Sequence, residues 1–324
     1  MAVSTTTADS ARPDGRAQSF LKRLRAGDEV AYLLTFLCAF SVLAITGLLV
    51  WELYQASAES RSAFGWSFLW ATDWDPVNGK FGASPFIYGT LVTSALAMII
   101  GIPLGVGAAI FLAELAPPRI SSALTFMIEL LAAVPSVIFG VLGMFILVPA
   151  LRSVEPAIRA ALGWTPLFSG PFYGVSLFSA GVVLSVMIIP FIISISREVI
   201  LSVPNDQREG ALALGATRWE TTWDVVVPFA RKGIAGSIFL ALARSLGETM
   251  AVTMVVGNEP RIHASLFAPG YSIAAVLANE FVEFTGPLHR AALTELGLVL
   301  FALTIVINGA ARILVATTAR KGAS

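Results

Sequence analysis

The sequence has one cysteine, Cys38, in 324 residues, so neither an internal disulfide nor a cysteine metal cluster can form within the chain. Placed in an apolar run, Cys38 reads as a small hydrophobe. Histidine is scarce as well. His263 and His289 share one segment, with no cysteine nearby and no His-Glu-x-x-His arrangement, and they read as solvated loop residues, so no metal site is expected. Charge is also thin: Asp, Glu, Lys and Arg make up 13% of the chain, against about a quarter in soluble domains. That excludes an ordinary soluble enzyme. The 21 basic and 21 acidic residues cancel, which removes the cationic surface that nucleic-acid binding needs. No Gly-x-x-x-x-Gly-Lys-Ser/Thr loop is present, so the chain does not by itself bind and hydrolyse ATP in that way. No Gly-x-Ser-x-Gly elbow or aspartyl dyad within a span points to an intramembrane hydrolase. Neither a catalytic residue nor a cofactor of its own is therefore expected.

What the sequence has in abundance is apolar length. Hydrophobic residues reach 56% and the mean hydropathy is +0.79. In lipid each backbone polar group must be satisfied within its own segment, so apolar runs of roughly 20 residues or more predict helices. Six such runs are read: Val30 to Tyr54, Phe86 to Leu115, Ile120 to Leu151, Phe172 to Ser196, Ala230 to Gly257 and Ala291 to Ala316. The expected fold class is an all-α membrane protein of six transmembrane helices, with kinks or close contacts allowed at Gly101, Pro103, Gly105, Gly107, Pro135, Gly140 and Gly143. Three segments result: a polar tail over 1–29, a membrane domain over 30–316 and a short tail over 317–324. In the first tail, Gln18 to Gly27 alternates apolar and basic residues and can lie in the membrane interface. The apolar run behind it is too long for a secretory signal.

With both termini inside, the inner segments hold 14 basic residues and the outer loops 6, as the positive-inside rule requires of a cytoplasmic N- and C-terminus. Trp66, Trp70 and Trp74 in the first outer loop read either as an interfacial belt or as the core of a small external cap.

The long inner loop runs from Arg197 to Pro228. In it Asp206 can cap a short helix through Ala211 and Leu214, Gly215 can stop that helix, and Thr217 can start a second with Trp219, Trp223 and Val226 on one face. Two short helices joined at a glycine make a knob suited to a groove on another protein. The bland alternative is an amphipathic helix packing on its own bundle. The segment resembles the loop of permease subunits of ATP-binding-cassette importers: Glu-Ala-Ala, three residues, Gly, nine residues, Ile-x-Leu-Pro. The matching positions are Glu209, Gly210, Ala211, Gly215, Val225, Val227 and Pro228, with Gly210 in place of the first alanine.

From Trp74 to Ala316 the chain is similar to the PstC-type permeases of phosphate importers. The stretches that carry this are Trp74 to Val77, Phe81-Gly82, Pro85 to Thr90, Ile128 to Leu131, Val134 to Gly140 and Leu242 to Ala251. The resemblance implies a type I importer permease fold with cytoplasmic coupling helices, set as a multi-pass protein in a bacterial inner membrane. It further implies a related second permease subunit, two copies of a cytoplasmic ATPase that uses ATP and magnesium, and an external phosphate-binding protein. Membrane lipid surrounds the bundle, and nucleic acid has no part.

Read from the residues alone, the ionisable groups within the spans point to an anion path, because charge in the hydrocarbon region is costly and usually faces the bundle interior. Arg244 lies on the order of 16 Å deep, at about 1.5 Å per residue from the inner surface. Glu248, four residues on, would share its helical face and moderate its pull. The alternative is a mutually neutralising pair that only fixes packing. A guanidinium fork suits a tetrahedral oxyanion better than an ammonium does. Glu129 reads either as a buried anchor beside the Pro135-Ser136 kink or as part of the path, and Glu114 as close enough to the inner surface to reach water. Thr90, Ser94, Ser136 and Thr249 offer hydroxyl donors, unless these bond their own backbone. The resemblance implies phosphate as the substrate. The alternatives are another oxyanion, molybdate or sulfate, and a secondary anion transporter or channel, which would need no docking loop.

Overall fold

The computed structural model describes residues 28–321, and these are helical apart from connecting loops and two isolated bridges, Asp75 with Lys80 and Gly257 with Gly270. The interfacial segment expected at Gln18 to Gly27 lies outside the described residues. Six helical runs are long and apolar enough to cross a membrane: Glu29–Ala56, Ser84–Leu115, Ser136–Leu162, Leu177–Leu201, Arg218–Leu246 and Pro287–Ile313. The chain divides into two compact units, one ending at Gln55 and one from Ala56 onward. The described residues of the first belong to helix α1 (Asp28–Ala56). Its hydroxyls answer the cost of polar groups in an apolar helix locally: Thr35, Ser41 and Thr46 each donate to a carbonyl three or four residues back, at 2.8 Å.

In the second unit, short helix α2 (Ala58–Phe64) leads through a loop to α3 (Ser84–Ile110), which ends in a π-helical turn, Phe111–Leu115. Next come α4 (Pro118–Ala132), α5 (Ser136–Leu142), a second π turn and α6 (Val148–Leu162). The remaining elements are α7 (Leu177–Leu201), α8 (Asn205–Ala213), α9 (Val227–Leu246), α10 (Met250–Val255), α11 (Ile273–Glu280) and α12 (Pro287–Lys321). Helices α3 and α7 form the central pair, with Leu184, Met187, Ile188 and Ile192 buried between them and their neighbours.

Three expected spans need correction. The third is not one helix over Ile120 to Leu151. It breaks after Ala132, where Pro135 has no N–H to donate and disfavours helical geometry in the residue before it. The fourth starts at Leu177 rather than Phe172, because the Ser176 hydroxyl caps it by accepting from Ser179 N at 3.1 Å, and it continues to Leu201. The fifth is already helical at Arg218, stops at Leu246 and resumes as α10, so Ala230 to Gly257 is two helices set apart by Gly247 to Thr249.

At the α2 end of the second unit an aromatic cluster closes over the start of α3. Trp74 packs edge-on against Phe81 and Phe86, while Trp66 and Trp70 are 83% and 78% exposed, so only Trp74 is cap core. His289 is not a solvated loop residue. It is 5% exposed and stacked on Phe81, and its Nε2 lies 3.2 Å from Glu280 Oε2, the atom that also accepts from Trp74 Nε1 at 2.9 Å. Tyr271 sits beneath this cluster, its hydroxyl pushed up to about 12 by burial even though it accepts a hydrogen bond from Asn279.

The segment around Tyr271 is pressed onto α3. Ile273 N donates to Thr90 Oγ1 at 2.9 Å, and a Cβ on Gly89 would stand 2.1 Å from the Tyr271 carbonyl oxygen. Neither side of that contact is a flexible side-chain end. Gly89→Ala is therefore expected to cost about 1–3 kcal/mol, in the range of overpacking, and to lower the thermal midpoint of the purified protein. Gly107→Ala, where a Cβ meets nothing within 4 Å, is the matched control.

Candidate functional site: a docking helix and two broken spans

The loop after α7 builds a short helix, α8, and a second helical start at Thr217 that runs on into α9 instead of ending as a separate short helix. Helix α8 follows Pro204 at its N-cap, so Asp206 stands in the first turn instead of capping it. The helix ends before Gly215, whose φ of +91° reverses the chain in a conformation that side chains with a Cβ rarely adopt. Thr217 then opens the next helix with a capping box: its hydroxyl accepts from Glu220 N at 3.2 Å, and Glu220 Oε2 accepts from Thr217 N at 2.7 Å. From there the chain is helical without interruption into α9, through a π-helical turn at Thr221–Val226. Glu209, Gly210 and Pro228 are exposed, Ala211 is half-buried, and Leu214 at the tip is 91% exposed.

Sequence reasoning did not find what holds α8 in place. Arg208 reaches the π turn of α3, where Nη2 lies 2.8 Å from Glu114 Oε1 and Nε lies 3.2 Å from the same oxygen. Glu114 is thus not a group left to water; 11% of its side chain is exposed. Nη2 also donates to Ile200 O at 2.8 Å, and Nη1 to Val203 O and to Asn205 Oδ1. Ile200 lies in the last turn of α7 and its carbonyl also accepts from Val203 N at 3.2 Å, while Val203 lies just beyond that helix.

Arg244 and Glu248 do not share a helical face. Arg244 lies in the last turn of α9, exposed, with its guanidinium 5.9 Å from the ring centre of Phe191 and no ion pair among the described residues. Glu248 comes after the break. Its Oε1 accepts from Ala251 N at 3.3 Å, so the carboxylate serves the first turn of α10 instead of the arginine. The cause is Gly247, which ends the helix one residue before the carboxylate. Thr249 holds the N-cap position of α10, and Ser136 is the first residue of α5. The two helices that start at these breaks cross at Gly140, where a Cβ would meet Met254 Sδ at 2.6 Å and Ala251 Cα at 3.1 Å. Both interruptions thereby lead into one contact.

Thr90 cannot serve an anion: its hydroxyl donates to Phe86 O at 2.8 Å, accepts from Ile273 N, and is 2% exposed. Glu129 is exposed on α4, not a buried anchor, and lines a groove of about 520 Å3 with Ser122, Thr125 and Arg197. Ser94 is buried within α3.

A model of the binding-protein-dependent transport system inner membrane component family matches residues 101–320. The chain belongs to that family. This permease is 44% identical over 94% of its length, and over 94% of the other, to the phosphate transport system permease protein PstC of Mesorhizobium japonicum. Identity to the PstC of Pasteurella multocida is 46%, covering 87% of this chain and 90% of that one. For PstC 2 of Mycobacterium tuberculosis it is 39%, covering 84% and 86%. Among solved structures, the inward-facing MetNI methionine ABC transporter aligns with a TM-score of 0.52 at 17% identity, covering 71% of this chain and 93% of that chain. At that identity the likeness speaks for the fold, which is that of a type I importer permease. Family and helices together make this a multi-pass inner-membrane transport component.

Proposed function

We propose that the chain is the permease subunit of an ATP-driven importer that carries inorganic phosphate across the bacterial cytoplasmic membrane. The observation that carries this is the 44% identity, over nearly the full length of both chains, to a protein named as a phosphate transport permease. The exposed α8 with its Gly215 reversal is the docking element for a cytoplasmic ATPase, which supplies ATP and magnesium chemistry that this chain lacks. A second related permease completes the path, two ATPase copies drive it, and an external phosphate-binding protein loads it. Glu209, Gly210, Ala211, Gly215 and Pro228 form the docking loop. In the path, Arg244 is the main contact for the anion. Glu248 and Thr249 stand at the helix break that follows it in the chain, Ser136 stands at the other break, and Glu129 lines the groove with Arg197. An anion held by the exposed guanidinium of Arg244, which has no ion pair among the described residues, gains directional bonds that a point charge does not give.

The test is reconstitution. Proteoliposomes holding the full complex should take up phosphate only with ATP and binding protein, and excess sulfate or molybdate should compete poorly. Uptake by this chain alone would instead favour a secondary transporter.

The same reading places both termini and α8 in the cytoplasm, in line with the basic-residue excess there. In a chain with Cys38 replaced, a cysteine at Val77, which is 92% exposed, should label from outside, and one at exposed Gln207 only after the membrane is opened. Labelling of both from the same side would contradict the arrangement.

A further inference from the structure

We propose that the Arg208–Glu114 pair is the joint that carries movement of the docking helix into the membrane, and that importing an anion per ATP depends on it. This rests on the reading of α8 as the ATPase contact. A guanidinium has five N–H donors in a fixed plane, and the contacts of Arg208 use every nitrogen. Nε and Nη2 take the Glu114 carboxylate as a two-pronged pair, Nη2 also takes Ile200 O, and Nη1 takes Val203 O and Asn205 Oδ1. Three elements meet on one planar group: α8 through Arg208 itself, α3 through Glu114, and α7 through Ile200 O and the turn that follows it.

The side chains of Arg208 and Glu114 are 17% and 11% exposed, so the pair is shielded from solvent far more than a surface ion pair. Breaking it would leave a shielded charge without its partner, which makes sliding of α8 against α3 costly. Movement of α8 is therefore passed on as movement of α3 and α7 together. Glu114 also lies in the π turn of α3, where the regular hydrogen-bond ladder is already widened. At its other end α3 is locked to the Tyr271–Ile273 segment by the Gly89 contact and the Thr90 bond, so a push at Glu114 reaches the far end of the bundle without slack.

The experiment uses the assembled complex with Glu114→Gln, Arg208→Gln and the double variant. Glutamine keeps the size of Glu114 and removes its charge, and in place of Arg208 it is shorter and removes the charged fork. In Glu114→Gln the ATPase should still copurify and hydrolyse ATP, while phosphate moved per ATP falls by about tenfold, within the usual span of coupling between sites. The double variant should be no worse than Arg208→Gln, since that change already removes the bond to Glu114 together with the bonds to Ile200 O, Val203 O and Asn205. Loss of ATPase copurification in Glu114→Gln would show that the pair merely folds the loop, and a wild-type transport ratio would show that it carries nothing. Either result overturns the proposal. A second readout is independent of the transported anion: the labelling rate of a cysteine at Ile99, which is 70% exposed on α3, with and without ATP in a chain lacking Cys38. Wild type should show an ATP-dependent rate and Glu114→Gln should lose that dependence. An equal response in both, or none in wild type, again overturns the joint. An ATP response without phosphate uptake would remove the phosphate reading and leave the joint standing.

Discussion

Arg244→Gln is expected to abolish phosphate uptake in a complex that still assembles. The guanidinium projects from the last turn of α9, exposed and lying over the face of Phe191. It is not consumed by an ion pair among the described residues, because Glu248 is turned to the N–H of Ala251. Removing a hydrogen bond to a charged group costs about 1.5–3 kcal/mol, on the order of 10- to 100-fold in affinity. The anchoring of α9 is separate, since Ala241, Ser245 and Leu246 supply its buried face. Expression and thermal midpoint should therefore hold while uptake of labelled phosphate is lost. Glu248→Gln makes the contrast. Glutamine can still accept from Ala251 N, so α10 keeps its start and only the charge disappears. Uptake should drop far less than in the arginine variant. Wild-type uptake by Arg244→Gln would make the arginine a packing residue.

Gly215→Val should lose ATP-driven uptake through the ATPase contact. At φ +91° the chain occupies space that an L side chain enters only at a cost of roughly 1–2 kcal/mol, more when branched at Cβ. No neighbour lies within 4 Å of the would-be Cβ, so the effect cannot come from collision. It must come from the turn itself, which sets the angle between α8 and the helix that begins after Thr217. Gly215→Asn is the discriminating companion, because asparagine tolerates left-handed geometry far better than valine. Copurified ATPase and uptake should both fall steeply with valine and mostly survive with asparagine. Equal losses would mean that the exposed surface at this position matters, not its backbone.

The number of spans was legible because each apolar run is bounded by charge or by Gly and Pro. The loop was legible in part: Gly215 as the stop and Thr217 with Glu220 as the start are local signals, and both stand in the structure. Hydropathy, however, does not register a change of helix axis inside an apolar run. Pro135 at least marks one break. Gly247 gives only a weak sign, and the spacing of Arg244 and Glu248 therefore misled, since i and i+4 are neighbours only in an unbroken helix. The Arg208–Glu114 pair was invisible for a different reason. Its members are 94 residues apart, and nothing local to either says that the ends of two spans meet. His289 failed likewise, its burial being supplied by Phe81 and Trp74 from a distant loop.

The helical run from Ser84 to Leu115 holds 32 residues, about 48 Å at 1.5 Å per residue, against a hydrocarbon thickness of about 30 Å. A free helix of that length would adapt to a thinner or thicker bilayer by leaning. This one is fastened at both ends, by Glu114 to Arg208 and by Gly89 and Thr90 to the Tyr271–Ile273 segment. Leaning would have to drag both attachments with it. The lipid must then do the adjusting, thinning or swelling around the protein, and the acyl-chain length of the host membrane becomes a mechanical load on the transport cycle.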